Sequence, residues 1–102
     1  MKEVIILGAQ ADGLKIALNG DIDVGNADDF FAVVETAYAE NKGTIVFDCT
    51  ELAFIDSTTL GVFVKIAKLA EKDGNRVRLE GLQARIKKLF TICALGSRME
   101  IV

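Results

Sequence analysis

The sequence predicts a single α/β domain, a mixed β-sheet of four to five strands with about three helices packed on it. Three observations carry this expectation. The 102 residues suffice for one core and leave no room for a second domain, so the domain is expected to span residues 1–102. The composition, 51% hydrophobic and 26% charged, is that of a packed chain and not a disordered one. The apolar period switches between two and 3.6 in the order β-β-α-β-α-β-α-(β), and the breaks fall at glycine and Asx clusters. That order implies right-handed crossovers between parallel strands.

Val4-Ile5-Ile6-Leu7 reads as the first strand and Ala11-Asp12-Gly13 as a turn. Leu14, Ile16 and Leu18 then alternate with Lys15, Ala17 and Asn19, the pattern of a half-covered strand pairing back as a hairpin, which Gly20 is expected to end. Asn26 is the expected N-cap of a helix running to about Glu40. Asp28 and Asp29 stand in its first turn, where they suit the helix dipole, and Gly43 is the expected left-handed residue after it. Thr44-Ile45-Val46-Phe47 reads as a strand buried on both faces.

A second helix is expected from about Ser57 to Asp73, ended by Gly74-Asn75, and Arg76-Val77-Arg78-Leu79 as another strand. Ile86, Leu89, Phe90 and Cys93 mark a third helix, and Met99-Glu100-Ile101-Val102 a terminal strand. The apolar residues of the second helix span about 220° of its circumference, more than one core-facing stripe requires. Either flanking helices cover the surplus, or Val62, Ile66 and Leu69 belong to a partner-binding face.

Histidine is absent, which removes Ser-His and Cys-His nucleophile pairs, histidine-ligated metals and histidine pH switches. The expectation is therefore a binding protein, not an enzyme, with no cofactor and no metal. Asp21 with Asp23, or Asp48 with Asp56, offers carboxylates for Mg²⁺ or acid/base work, but no phosphate-cradling loop accompanies them. A phospho-aspartate receiver would need an acidic pair after the first strand, where Gly8-Ala9-Gln10 stands. Cys49 and Cys93 lie in or beside apolar runs, and both are expected to be buried, reduced thiols.

Charge divides along the chain. Residues 1–56 carry eleven acids and three lysines, a net −8, whereas residues 57–102 carry nine bases and four acids, a net +5. The bases are scattered and lack interleaved aromatics, so nucleic acid is not an expected partner. The apolar run Val4–Leu7 is too short for a signal peptide or a membrane span, and a cytoplasmic location without membrane insertion is expected.

Phe54-Ile55-Asp56-Ser57-Thr58-Thr59-Leu60-Gly61 is the most informative stretch. Short hydroxyl and carboxyl side chains before an apolar-periodic helix can cap its free N–H groups. The same geometry receives a phosphate well, and phosphorylation of Ser57 would add about −1.5 to −2 charges beside Asp56.

Asp56-Ser57-Thr58-Thr59-Leu60-Gly61 resembles the D-S-[ST]-G-L-G signature of STAS domains, in particular the bacterial anti-sigma factor antagonists. Gly20-Asp21-Ile22-Asp23 resembles the family's G-[ED]-[IL]-D, Val46-Phe47-Asp48 its V-x-D strand, and Ile92-Cys93-Ala94-Leu95 its late L-T-G-L. The resemblance covers nearly the whole chain. It implies a STAS-type sheet and a phosphorylation switch. The unphosphorylated antagonist binds an anti-sigma factor that is also a serine kinase, releasing a sigma factor; phosphorylation stops the binding and a metal-dependent serine phosphatase restores it. The resemblance makes Ser57 the acceptor, flanks it with Asp56 and Thr58, and places Asp21 and Asp23 on the partner surface. Thr59 stands where the family usually has glycine, and its β-branched side chain is expected beside the acceptor, narrowing kinase access. Ala94 replaces the glycine of L-T-G-L. STAS domains also serve as accessory subunits of membrane transporters and in stress-sensing assemblies, which is the alternative role for the same fold.

Overall fold

A computed structural model of the chain describes residues 1–93 and 97–102. Eight elements follow one another: β1 (Val4–Gln10), β2 (Gly13–Ile22), α1 (Ala27–Glu40), β3 (Ile45–Ile55), α2 (Ser57–Glu71), β4 (Val77–Glu80), α3 (Ala84–Ile92) and β5 (Glu100–Ile101). The five strands form one mixed sheet in the order β1-β2-β3-β4-β5. The β1–β2 hairpin is antiparallel, and β2–β3, β3–β4 and β4–β5 are parallel, each parallel pair joined through a helix.

Strand parity decides what each face of the sheet meets. Leu14, Ile16, Leu18, Ile45, Phe47, Val77 and Leu79 join one core with the buried residues of all three helices. Lys15, Ala17, Asp48, Arg78 and Glu80, of the opposite parity, are half-buried on the other face. Lys15 and Arg78 pair with Glu80 there at 3.3 and 3.1 Å. Val46 is buried on that face between Lys15 and Arg78 in the register, so this part of β3 is covered on both sides.

Four phenylalanines join the layers. Phe63 of α2 meets Phe30 of α1 at 5.2 Å, Phe47 of β3 at 5.5 Å and Phe90 of α3 at 5.2 Å, each edge to face. Because α2 has a neighbour on each flank and the sheet beneath, its wide apolar arc is consumed by the core. Val62 and Ile66 are 3% and 0% exposed, and Leu69 is partly buried against the same cluster. The reading that placed Val62 and Ile66 on a partner-binding face is corrected; Leu69 keeps part of its surface exposed.

Several local expectations change as well. Gly20 does not end β2; it takes φ +68° inside the strand, beside a register shift against β3 that carries the chain on to Ile22. Asn26 occupies the N-cap position of α1 without capping it, because its side chain serves the preceding loop. The C-cap of α1 is Asn41, and Gly43 is not left-handed. Gly74, by contrast, has φ +74°, and the Gly74 and Asn75 amides donate to Glu71 and Ala70 carbonyls, closing the turn after α2.

In α3 only Ile86 and Phe90 are buried. Leu89 and Cys93 face outward because the helix touches the core along a narrow stripe. Cys93 is therefore exposed, against expectation, whereas Cys49 is buried and its thiol is pushed up to about 12 by desolvation. No described helix is long and apolar enough to cross a membrane. The comparison of Ile92-Cys93-Ala94-Leu95 with the family's late motif falls partly outside the described residues.

Candidate functional site

The site is built where β3 hands over to α2. Asp56 is the N-cap of α2 in extended conformation, and its Oδ1 accepts the Thr59 amide at 3.0 Å. The same oxygen lies 3.0 Å from the Thr59 hydroxyl. The other carboxylate oxygen, Oδ2, accepts the Val24 amide at 2.9 Å. The Thr59 amide first, with the Val24 amide after it, holds the Asp56 carboxyl below its ordinary value of 3.8.

The loop between β2 and α1 is ordered by its own short polar side chains. Asp23 Oδ1 accepts the Gly25 amide at 2.9 Å, and the Asp23 amide donates to Asn26 Oδ1 at 2.8 Å. Asn26 Nδ2 donates to the Asp21 carbonyl at 3.0 Å, and the Ala27 amide to the Asp23 carbonyl at 2.8 Å. Val24 is thereby held outward, 73% exposed, with its amide on Asp56. Asp21, Asp23 and Asp56 thus belong to one connected surface.

Ser57 and Thr58 are the exposed first two residues of α2, and among the described residues no hydrogen-bond partner occupies either hydroxyl. Thr59, 0% exposed, turns the other way: its hydroxyl lies 2.6 Å from the Ile22 carbonyl. The expectation that Thr59 would crowd the acceptor is corrected, since its side chain packs under the helix. Thr59 is equally removed from competition as a phosphate acceptor. Of the sequence-predicted site, Asp21, Asp23, Asp56, Ser57 and Thr58 fall together around this corner, and Val62, Ile66 and Leu69 do not.

Two contributions were not anticipated. Asn26 and Thr59 hold the site from behind; the spacing of Asp56 to Thr59, N-cap to third helical residue, was the available signal for the second. On the far side of the β3–α2 junction, Arg85 Nη2 donates to the Ala53 carbonyl, and Phe54, Ile55, Ile86 and Leu89 complete a groove of about 210 Å³ around it.

Residues 6–102 match the STAS domain family. An anti-sigma-B factor antagonist of Listeria monocytogenes is 32% identical over 90 residues, which cover 88% of this chain and 79% of that one. The anti-sigma-B factor antagonist of Bacillus subtilis is 31% identical over 88 residues, covering 86% and 80%. Among solved structures, unphosphorylated SpoIIAA, an anti-sigma factor antagonist, superposes with a TM-score of 0.82 at 22% identity, over 97% of this chain and 87% of that one. The murine anion transporter Slc26a9 contains the same fold, with a TM-score of 0.73 at 14% identity over 90% of this chain and 16% of the transporter. The connected corner of Asp23, Asp56 and Ser57, the five-stranded mixed sheet behind it and these likenesses agree: the chain belongs to the STAS domain family, as a relative of the anti-sigma-B factor antagonists.

Proposed function

We propose that this protein is an anti-sigma factor antagonist whose unphosphorylated form binds an anti-sigma factor with serine kinase activity, and that phosphorylation of Ser57 releases it. The observation that carries the reading is the division of labour among three adjacent hydroxyls and a carboxylate. Asp56 and Thr59 are committed to internal hydrogen bonds, Ser57 and Thr58 are exposed with uncommitted hydroxyls, and of these two Ser57 is the one that matches the serine of the family's motif.

A phosphate on Ser57 would add about −1.5 to −2 charges to a corner that already holds Asp21, Asp23 and Asp56. A partner surface complementary to the neutral serine then meets a larger, doubly charged group, so contact is lost by both size and field. A serine phosphatase would reset the switch. The transport-accessory role shares the fold, but the relatives that span most of their own length with this chain are antagonists by name.

Incubation with an anti-sigma serine kinase and ATP, followed by mass spectrometry, tests the acceptor. The wild type gains one phosphate and Ser57→Ala none; normal uptake by Ser57→Ala refutes the assignment. Ser57→Asp weakens partner binding and Ser57→Ala retains it, by at least about tenfold between the two, the scale of biological coupling energies. Equal affinity of phosphorylated and free protein removes the switch.

A further inference from the structure

We propose that Thr59 is a positioning residue of the recognition surface: its buried hydroxyl, acting with Asp56, clasps the Asp23 loop in register with Ser57. Among the described residues Thr59 is the one polar or charged residue that is buried. Packing alone would be served as well by valine, which has the same shape and no polar atom to desolvate. The hydroxyl is kept for its bonds.

Those bonds form a crossed pair. Asp23 lies between Ile22 and Val24, and Ser57-Thr58 lies between Asp56 and Thr59. Thr59 Oγ1 bonds the Ile22 carbonyl at 2.6 Å, and Asp56 Oδ2 accepts the Val24 amide at 2.9 Å. The residues on either side of the Ser57-Thr58 pair therefore hold the residues on either side of Asp23. A hydroxyl has one proton, and the shorter contact assigns it to the Ile22 carbonyl; Asp56 Oδ1 is meanwhile held by the Thr59 amide at 3.0 Å. Ile22 is itself 0% exposed, and its carbonyl accepts the Thr59 hydroxyl away from solvent.

The two segments come from distant parts of the chain, and without the clasp the loop, ordered within itself by Asp23 and Asn26, would have to be placed against α2 when a partner binds. Preorganisation removes that cost from binding. The consequence for the partner rests on the function proposed above; the clasp itself can be measured without any partner.

Thr59→Val deletes the hydroxyl at constant shape and Thr59→Ser restores it. In the isolated protein, NMR-detected exchange of the Val24 amide is expected to quicken about tenfold in Thr59→Val, the loss of roughly one buried hydrogen bond, and to return to the wild-type rate in Thr59→Ser. With an anti-sigma serine kinase, KM for Thr59→Val rises about tenfold at unchanged kcat, and Thr59→Ser recovers it. Unchanged Val24 exchange in Thr59→Val overturns the clasp, and an unchanged KM overturns its role in recognition. Failure of the wild type to be phosphorylated defeats the proposed function instead, and the exchange result still decides the clasp. Should Thr59→Val not fold, the wild type answers through the Thr59 hydroxyl proton: a slowly exchanging resonance supports the bond to Ile22, and its absence overturns it.

Discussion

Asp56 reaches across 32 positions of sequence to accept the Val24 amide at 2.9 Å while its other oxygen caps α2 through the Thr59 amide. One carboxylate thus ends a strand, starts a helix and fixes a distant loop. Its ionised form is the one that makes all these bonds, and this sets the pH behaviour of the corner.

The Asp56 pKa is depressed in the folded protein, first by the Thr59 amide and then by the Val24 amide, against an ordinary value of 3.8. A depressed carboxyl contributes stability that is fully present above the unfolded value and is lost as the pH falls through the folded one. The stability gap between wild type and Asp56→Asn is therefore constant at neutral pH and narrows below 3.8. Urea unfolding across an acid pH series checks this. Asp48, lowered mainly by the Thr50 hydroxyl, titrates in the same direction in both proteins and cancels from the difference.

Ile66 is fully buried between α2 and the core. Ile66→Ala is expected to cost about 2–5 kcal/mol through lost burial and the cavity left behind. Ile66→Lys costs more, because an unpaired ammonium would replace it. Thermal unfolding measures both; a Lys variant that melts like the wild type while losing partner binding would restore Ile66 to the surface.

The two thiols differ in accessibility and in acidity. Cys49 is buried with its pKa raised to about 12, and Cys93 is exposed. Thiolate is the reacting species, so a thiol reagent at neutral pH titrates Cys93 alone in the native protein and both cysteines in denaturant. Cys93→Ser should leave the native protein unreactive.

Gly13 and Gly74 both have positive φ but face different surroundings. A Cβ on Gly13 would lie 2.1 Å from the Thr44 carbonyl oxygen, whereas one on Gly74 meets nothing within 4 Å. Gly74→Ala is expected to cost about 1–2 kcal/mol, the left-handed penalty alone. Gly13→Ala adds a backbone clash that must separate β2 from the loop before β3, and its cost is about 3 kcal/mol or more. Chemical denaturation of the pair checks the ordering.

At the other end of the helix pair, Tyr38 donates to Asp73 at 2.8 Å and accepts from Asn75 at 2.8 Å. Tyr38→Phe should cost about 1 kcal/mol, chiefly by leaving the Asn75 and Asp73 groups to find water. Its distance along α1 and α2 from the Ser57 corner predicts unchanged phosphorylation, which a kinase assay tests.

The strands and helices were legible in the sequence because their period depends on neighbours a few residues away. Alternation over Leu14–Asn19 and the 3.6-residue repeat of α1 and α2 appear in the structure with displaced ends. Where expectation failed, a distant contact had intervened. Gly20 lies inside β2 because a bulge against β3 uses its positive φ, and Asn26 leaves its helix uncapped because Asp21 and Asp23 engage its side chain. Val62 and Ile66 resembled surplus apolar surface because a helical wheel counts residues without showing how many neighbours the helix has.

By itself, then, the sequence determined the element order, the separation of acidic and basic halves, and a cap motif at Asp56–Ser57 that marked the candidate site. Tertiary structure alone decided which hydroxyl is taken inward. Ser57, Thr58 and Thr59 have nearly the same chemistry and stand side by side, so chemistry does not separate them, and the resemblance of the motif alone singles out Ser57. Thr59 is set apart by the end of β2, whose Ile22 carbonyl takes its hydroxyl inward and whose following loop takes Asp56, while Ser57 and Thr58 both face solvent.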